Sequence, residues 1–473
     1  MDIGKCALGA FILAFLCAAA PGSAVPRPNI LLVVVESLRA DHVGCYGYSR
    51  DTTPAFDGLA KEGVRFAQMI STSSWTTPSV MSIFTSELPH SHGVINVQSK
   101  LSKDTTTLAA ELKRQGYTTI AVLVNPCAAA GLGFDRGFST YDDFTVLLKV
   151  ELNAFDAVGS KGSRTINDCT TSRELVDLAL QYLDKAPKGK PWFLFLFLHD
   201  PHADYVPSRE YASMFDPSYV GKATGKVIGI KDSYTHVYPD KRDLEHVIAL
   251  YDGEIRYTDD QFRRLWQSMG AKGLCNENLL TIACADHGEE FNDHGGLQHA
   301  RTLHEEVVRV PLIMHWPNHF PKGKAIKDQA QLIDLMPTIL SQIGADVPKQ
   351  CAGSDLSAVI AGRGTVARQD VALHLSTGLG EACALRRPTC KAIVNLKTGS
   401  RELFDLIKDP GEQSPLSDEQ IQGNGEFVAF LNQLIAWNDA EQGALKALVP
   451  SQKAEPKLST EQMDALRSMG YLH

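Results

Sequence analysis

Pro28-Asn29-Ile30-Leu31-Leu32-Val33-Val34-Val35-Glu36-Ser37 is the stretch whose reading decides the fold. The run from Ile30 to Val35 is apolar and rich in β-branched residues, with no polar alternation. It predicts a central strand covered on both faces, as in a parallel sheet. The run ends in Glu36-Ser37. In open α/β sheets ligands bind at the carboxyl ends of strands, so Glu36 is placed for function. The bland alternative is a strand-end carboxylate that caps a helix.

Three more buried runs repeat the pattern. Thr118 to Val124 ends at Asn125-Pro126, and Trp192 to Leu198 runs into His199-Asp200-Pro201-His202. Leu279 to Ala285 runs into Asp286-His287-Gly288-Glu289. Helical stretches fall between them: Thr53 to Gly63, with Pro54 at its start and glycine at its stop, then Leu108 to Gln115, Glu174 to Asp184 and Leu244 to Met269. Arg309 to Met314 reads as a further strand. Strands alternating with helices predict an α/β fold, a large central mostly parallel sheet flanked by helices. Beyond about residue 365 the texture changes. Val371 to Leu375, Ala392 to Leu396 and Glu402 to Leu406 suggest a small antiparallel sheet, with helices at Asn424 to Trp437 and Thr460 to Met469.

Composition narrows the function classes. The chain has 473 residues, 44% hydrophobic and 21% charged, enough for one large domain and a smaller one. A net charge of −9 without a long basic run argues against nucleic-acid binding. Lys5, the apolar run Cys6 to Ala20 and the small residues up to Ala24 read as a signal peptide over 1–24, with a membrane anchor as the competing reading. That predicts an exported protein, periplasmic or secreted, with no membrane span once the signal is removed. Eight cysteines then remain. Cys383 and Cys390 are the first pair to expect as a disulfide, whereas Cys284 reads as a buried thiol.

A second stretch supplies the chemistry: Trp75-Thr76-Thr77-Pro78-Ser79-Val80-Met81-Ser82-Ile83-Phe84-Thr85-Ser86. Pro78 suits the first position of a helix and Thr77 its N-cap. The Thr76 hydroxyl then lies at the positive end of a helix, where an oxyanion is stabilised. A hydroxyl alone is a weak nucleophile and needs a metal or a base. Glu36, Asp286 and His287 bring two carboxylates and an imidazole to the same sheet edge. With Thr76 they form a ligand set for one divalent cation, manganese, zinc, calcium or magnesium. His202 and His299 come from two other loops. They could bind the oxygens of a tetrahedral anion, protonate a leaving group or hold a second metal. His199 reads as a hydrogen-bonded structural histidine. His90, His92 and His294 read as structural or supporting, and Asn292 and Asp293 as loop residues.

The joint pattern resembles the sulfatase family of the alkaline-phosphatase superfamily. Its carriers are Glu36-Ser37, Thr76-Thr77-Pro78-Ser79, His199-Asp200-Pro201-His202, Asp286-His287-Gly288-Glu289 and Arg301-Thr302-Leu303-His304-Glu305-Glu306. Supporting phrases run to the closing Leu466-Arg467-Ser468-Met469-Gly470-Tyr471-Leu472. The resemblance implies an alkaline-phosphatase-like fold, with a catalytic domain over 25–365 and a C-terminal α+β subdomain over 366–473. Departures matter as well. Sulfatases carry a cysteine or serine that matures to formylglycine, in a Cys/Ser-x-Pro-x-Arg signature. Here Thr76 holds the nucleophile position and Val80 the arginine position. Oxidising the secondary alcohol of threonine gives a ketone, not an aldehyde. The paired aspartates usual after the first strand are replaced by Glu36-Ser37, and the usual Lys-x-His loop is absent, with Asn125-Pro126 nearby instead.

These departures point towards the threonine-nucleophile phosphodiesterases and phosphoglycerol or phosphoethanolamine transferases of the superfamily. The expectation is a metal-dependent hydrolase that cleaves phosphoric diesters through Thr76, with His202 or His299 assisting the leaving oxygen. The substrate class is a small-molecule, lipid or glycan ester. One alternative is a sulfuric ester hydrolase acting without formylglycine. Another is a non-catalytic, metal-stabilised binding protein. Residues 140–170 and 206–242 are expected to shape the pocket.

Overall fold

The structure is a computed structural model that describes residues 27–149, 166, 169–227, 240–368, 370–448, 457–469 and 471. The leader expected over 1–24 lies outside the described residues, as do parts of both pocket segments. Six strands set the frame: β1 (Asn29–Val35), β2 (Val64–Ile70), β3 (Thr118–Val122), β4 (Thr140–Asp142), β5 (Trp192–Leu198) and β6 (Leu279–Ala285). They belong to a nine-stranded sheet. From one edge it runs Lys324–Gln331, β2, Leu312–His315, β6, β1, β5, β3, β4, with Arg309–Val310 paired to β2 off this path.

β1 sits between β5 and β6 and is parallel to both. Its residues from Ile30 to Val35 are 0–1% exposed, which explains the unbroken apolar run. Register then fixes the edge. Val35 lies opposite Leu198 and opposite Ala285, so the next residue of each strand, Glu36, His199 and Asp286, comes out in one row. The strand expected over Arg309 to Met314 is broken at Pro311, which has no N–H for the ladder.

The Thr76 helix begins earlier than its proline suggests. It spans Thr76–Thr85, with Trp75 as the extended cap residue, so neither Pro78 as first residue nor Thr77 as N-cap holds. Proline is tolerated one turn in because the first N–H groups of a helix lack partners in any case. All ten residues of the helix are buried. A serine-rich link ties its start to the sheet. Ser71 Oγ donates to the Asp286 carbonyl at 2.5 Å and lies 3.0 Å from Ser79 Oγ, while Ser79 Oγ donates to the Ser73 carbonyl.

The 31-residue helix Lys241–Ala271 braces the loop after β1 from outside. Tyr251 donates its hydroxyl to the Ser37 carbonyl at 2.7 Å and accepts the Arg39 N–H at 3.0 Å. Asp252 beside it receives Tyr48 and Arg50, each at 2.6 Å. Among the described residues no helix is long and apolar enough to cross a membrane.

A separate antiparallel sheet follows, of Val371–Ser376, Glu381–Arg386, Cys390–Asn395 and Arg401–Asp405. Its second strand was not expected, because Glu-Ala-Cys-Ala-Leu-Arg lacks β-branched residues. The register also removes the Cys383–Cys390 disulfide. Cys383 pairs with Val394 and Cys390 with Asp405, which leaves the two cysteines about 13 Å apart along the ladder, beyond disulfide reach. The cysteines of the described chain are free thiols, Cys284 buried among them. Arg386 joins the two sheets through Glu305, with paired contacts of 2.8 and 2.9 Å.

Candidate active site

The row of strand ends meets the start of the Thr76 helix in a buried cluster. Glu36, Asp286 and His287 each offer a ligand atom, and these atoms lie within 4.8 Å of one another. Thr76 joins them directly. Its hydroxyl donates to Glu36 Oε1 at 2.9 Å and stands 3.3 Å from His287 Nε2. His287 Nδ1 faces the Gly288 carbonyl at 2.9 Å; donation there leaves the Nε2 lone pair pointing at Thr76. Gly288 is required at this bend, because a Cβ would lie 2.0 Å from the Glu306 carbonyl oxygen.

The electrostatics of the cluster are those of two carboxylates forced together. Burial works against the charged form of Glu36. The charge and hydrogen bond of His199, with the charges of His202 and His287, still hold its carboxyl down to about 2. Burial, and then the adjacent Glu36 charge, push Asp286 well above the usual carboxylate range. The pair therefore retains a proton unless a cation supplies the counter-charge. Burial, and then His299, hold the His287 imidazole well below its ordinary value, so it is a neutral ligand.

The donor set fits a metal. Asp286 Oδ2 is buried without a hydrogen-bond partner, while Oδ1 takes the N–H groups of His287 and Ser37. Two carboxylates, a neutral imidazole and a hydroxyl suit a hard or borderline divalent cation.

His202 and His299 both reach the cluster. The His299 ring lies 4.4 Å from His287 and 5.0 Å from His202. His202 Nδ1 contacts the Ala203 carbonyl at 2.7 Å and its Nε2 has no hydrogen-bond partner. Burial, then His199 and His299, push His202 down to about 3 against the pull of Glu36, so its Nε2 is an open lone pair. His299 differs, because its Nδ1 contacts Glu289 Oε1 at 2.8 Å.

Four residues of the pocket were not singled out from the sequence. His199 is hydrogen-bonded, as expected of a structural histidine, but its partner is Glu36 Oε2 at 2.7 Å. Asn125, noted only as standing where a Lys-x-His loop is missing, donates Nδ2 to Glu36 Oε1. Glu289 holds His299 from one side, and Tyr471 holds it from the other at 2.6 Å. His199 and Asn125 follow strand ends, which is the signal that could have found them. Tyr471 entered the sequence reading only within the phrase Leu466 to Leu472 that supports the resemblance, with nothing to connect it to His299.

Comparisons with known proteins bear on the family and the fold. The sulfatase family model matches residues 28–345, and that of the N-sulphoglucosamine sulphohydrolase C-terminal region matches residues 293–425. The arylsulfatase of Clostridium perfringens is 24% identical over 448 residues, covering 83% of this chain and 91% of that protein. The phosphonate monoester hydrolase of Agrobacterium radiobacter superposes with a TM-score of 0.72 at 19% identity, over 89% of this chain and 96% of that one. A protein solved with its substrate D-glucosamine-2-N,6-O-disulfate superposes with a TM-score of 0.71 at 18% identity, over 90% and 100%. One family model thus runs from the first strand through every strand end that builds the pocket, and on that span the chain belongs to the sulfatase family of hydrolytic enzymes.

Proposed function

We propose that the chain hydrolyses esters of a tetrahedral oxyanion with Thr76 as nucleophile. The observation that carries this is the Thr76 hydroxyl, 2.9 Å from Glu36 and 3.3 Å from His287 inside the carboxylate pocket. Glu36, Thr76, Asp286 and His287 would hold a divalent cation. When bound, it would neutralise the carboxylates and lower the pKa of the hydroxyl.

The remaining steps belong to side chains. Glu36 Oε1 receives the hydrogen bond of Thr76 and is the first acceptor for its proton. Thr76 Oγ1 bonds to the central sulfur or phosphorus as the ester oxygen departs. His202 or His299 assists that oxygen, the His299 ring being oriented by Glu289. His202 turns a partnerless Nε2 towards the site and serves the anion or a second metal. Water then displaces Thr76 Oγ1 and returns its proton. The N–H groups at the start of the Thr76 helix stabilise the anion.

The relatives favour sulfate esters of aryl or sugar alcohols as the acid component, since the arylsulfatase and the disulfate-bound protein are named for them. One specific observation favours phosphate diesters as the second reading. Thr76 cannot become formylglycine, and a sulfated threonine lacks the release route that an aldehyde hydrate provides. A 4-nitrophenyl sulfate and a bis(4-nitrophenyl) phosphate, assayed side by side on metal-reconstituted protein with Thr76→Ala as blank, decide between them. Sulfate turnover lost in the variant supports the first reading and phosphodiester turnover the second. Turnover that survives Thr76→Ala removes the nucleophile assignment.

A further inference from the structure

A basic face lies at the edge of the sheet opposite the pocket. β1, β5 and β6 are parallel strands of seven residues, so their starts lie about 20 Å from the ends that lead to Glu36, His199 and Asp286. β3 runs beside β5 in the same direction. The segments that enter β1, β3 and β5 are therefore neighbours, and hydrogen bonds tie them together. Arg27 Nη1 donates to the Gln115 carbonyl, and the Thr118 N–H donates to the Pro191 carbonyl at 2.9 Å.

These segments bring Arg27, Lys113, Arg114, Lys185, Lys188 and Lys190 to one face, all of them exposed. Glu111 pairs with Arg114, and Asp184 is taken up by Lys272. Helix ends account for some of the cations. Lys113 and Arg114 close the helix Leu108–Arg114, and Lys185 closes Ser172–Lys185, where positive charge meets the negative end of the helix. Lys188 and Lys190 stand beyond, in the loop before β5, with no carboxylate paired to them among the described residues. Asp135 before β4 and Glu277 before β6 border the patch. On a chain of net charge −9 this face is a local reversal of sign.

A second observation says what covers it. The chain enters the fold through this same face: Asn278 Nδ2 donates to the Arg27 carbonyl at 3.2 Å, and the Asn29 N–H donates to the Asn278 carbonyl at 2.8 Å. The apolar run Cys6 to Ala20 ends seven positions before Arg27 in the sequence. Seven residues reach at most about 25 Å, so a bilayer that takes up the run lies within that distance of the basic face. A nucleic acid or an acidic glycan would give no reason for that neighbourhood.

We propose that this face docks on an anionic lipid surface, with Lys188 and Lys190 foremost and the pocket turned away from the bilayer. Docked so, the pocket receives esters from the solution side rather than lipids of the same bilayer. The docking does not depend on the chemistry of Thr76.

The test uses the full chain and vesicles of phosphatidylcholine with and without phosphatidylglycerol. Wild type should sediment with the anionic vesicles at low salt and leave them at high salt. Lys188→Glu combined with Lys190→Glu should weaken that binding at least about twentyfold, with circular dichroism unchanged. The apolar run is common to both chains, so the difference reports the face. Anionic vesicles should also slow acetylation of Lys188 and Lys190 by acetic anhydride, read by mass spectrometry. Lys408, 84% exposed in the C-terminal subdomain, should label at the same rate with and without them. Equal binding by the two chains, or unchanged labelling at Lys188 and Lys190, overturns the proposal. Retention of wild type on heparin without binding to vesicles gives the face to acidic glycans and overturns the lipid assignment.

Discussion

Among the described residues two clusters of histidine and carboxylate have ligand atoms close enough to share an ion, and their surroundings differ. In the pocket, ligand atoms of Glu36, Asp286 and His287 converge, with Asp286 Oδ2 left without a hydrogen-bond partner. At the seam between the sheets, His294, His304 and Glu306 lie as close together. There His294 is paired on both sides, Nδ1 with Glu306 at 2.8 Å and Nε2 with the Glu412 carbonyl at 3.0 Å. Burial works against its charge, but the hydrogen bond and charge of Glu306 raise His294 to about 9, so it is a cation itself. Its ring stacks on His304 at 3.7 Å and 9°, so their in-plane lone pairs lie in near-parallel planes and do not meet at one atom. The two clusters differ in geometry and in charge: Asp286 Oδ2 is left open beside a neutral imidazole, whereas His294 is paired on both sides.

The comparison can be broken at several points. Thr76→Ala should lower turnover by about three orders of magnitude with circular dichroism unchanged, whereas His304→Gln should stay within about twofold of wild type. Equal losses would erase the distinction. Next in size is Lys391, fully buried between Glu305 at 3.3 Å and Glu412 at 3.0 Å. Glu305 keeps Arg386, so Lys391→Met leaves Glu412 as the uncompensated buried carboxylate and should cost about 3–5 kcal/mol in urea unfolding, with bound metal unchanged. Asp286→Asn should weaken divalent-cation binding about a hundredfold by calorimetry, and Glu306→Gln should leave it alone. Cation loss in the Glu306 variant would make the seam a metal site. The smallest effect concerns pH. His294 is raised above its unfolded value, so its contribution to stability is complete below about 6.5 and is lost as pH rises through about 9. Melting temperatures across that window should decline in wild type and flatten in His294→Gln. An unchanged slope would show that His294 is not the cation described.

Legibility followed the locality of the signal. The four central strands and the row of Glu36, Asp286 and His287 could be read because an apolar run and the residue after it are neighbours in the chain. The Thr76 helix was read with its start misplaced, since proline is tolerated at any of the first few positions. The polar edge strand Lys324–Gln331 offered no apolar run to detect. Asn125 and His199 stand just after strands, but their partner Glu36 lies across the sheet, and Tyr471 meets His299 from 172 positions away, which no spacing encodes.

The placement of β1 between β5 and β6 has a consequence for the order in which the protein becomes itself. The Ser37 N–H and its acceptor Asp286 are 249 positions apart in sequence, yet only one strand apart in the sheet. Such a contact cannot form on a nascent chain until residue 286 has left the ribosome, when more than half the polypeptide has been made. The first-made strand must wait, edge exposed, for partners synthesised long after it. A chain that stalls before that point carries Glu36 and Thr76 without Asp286 and His287 beside them.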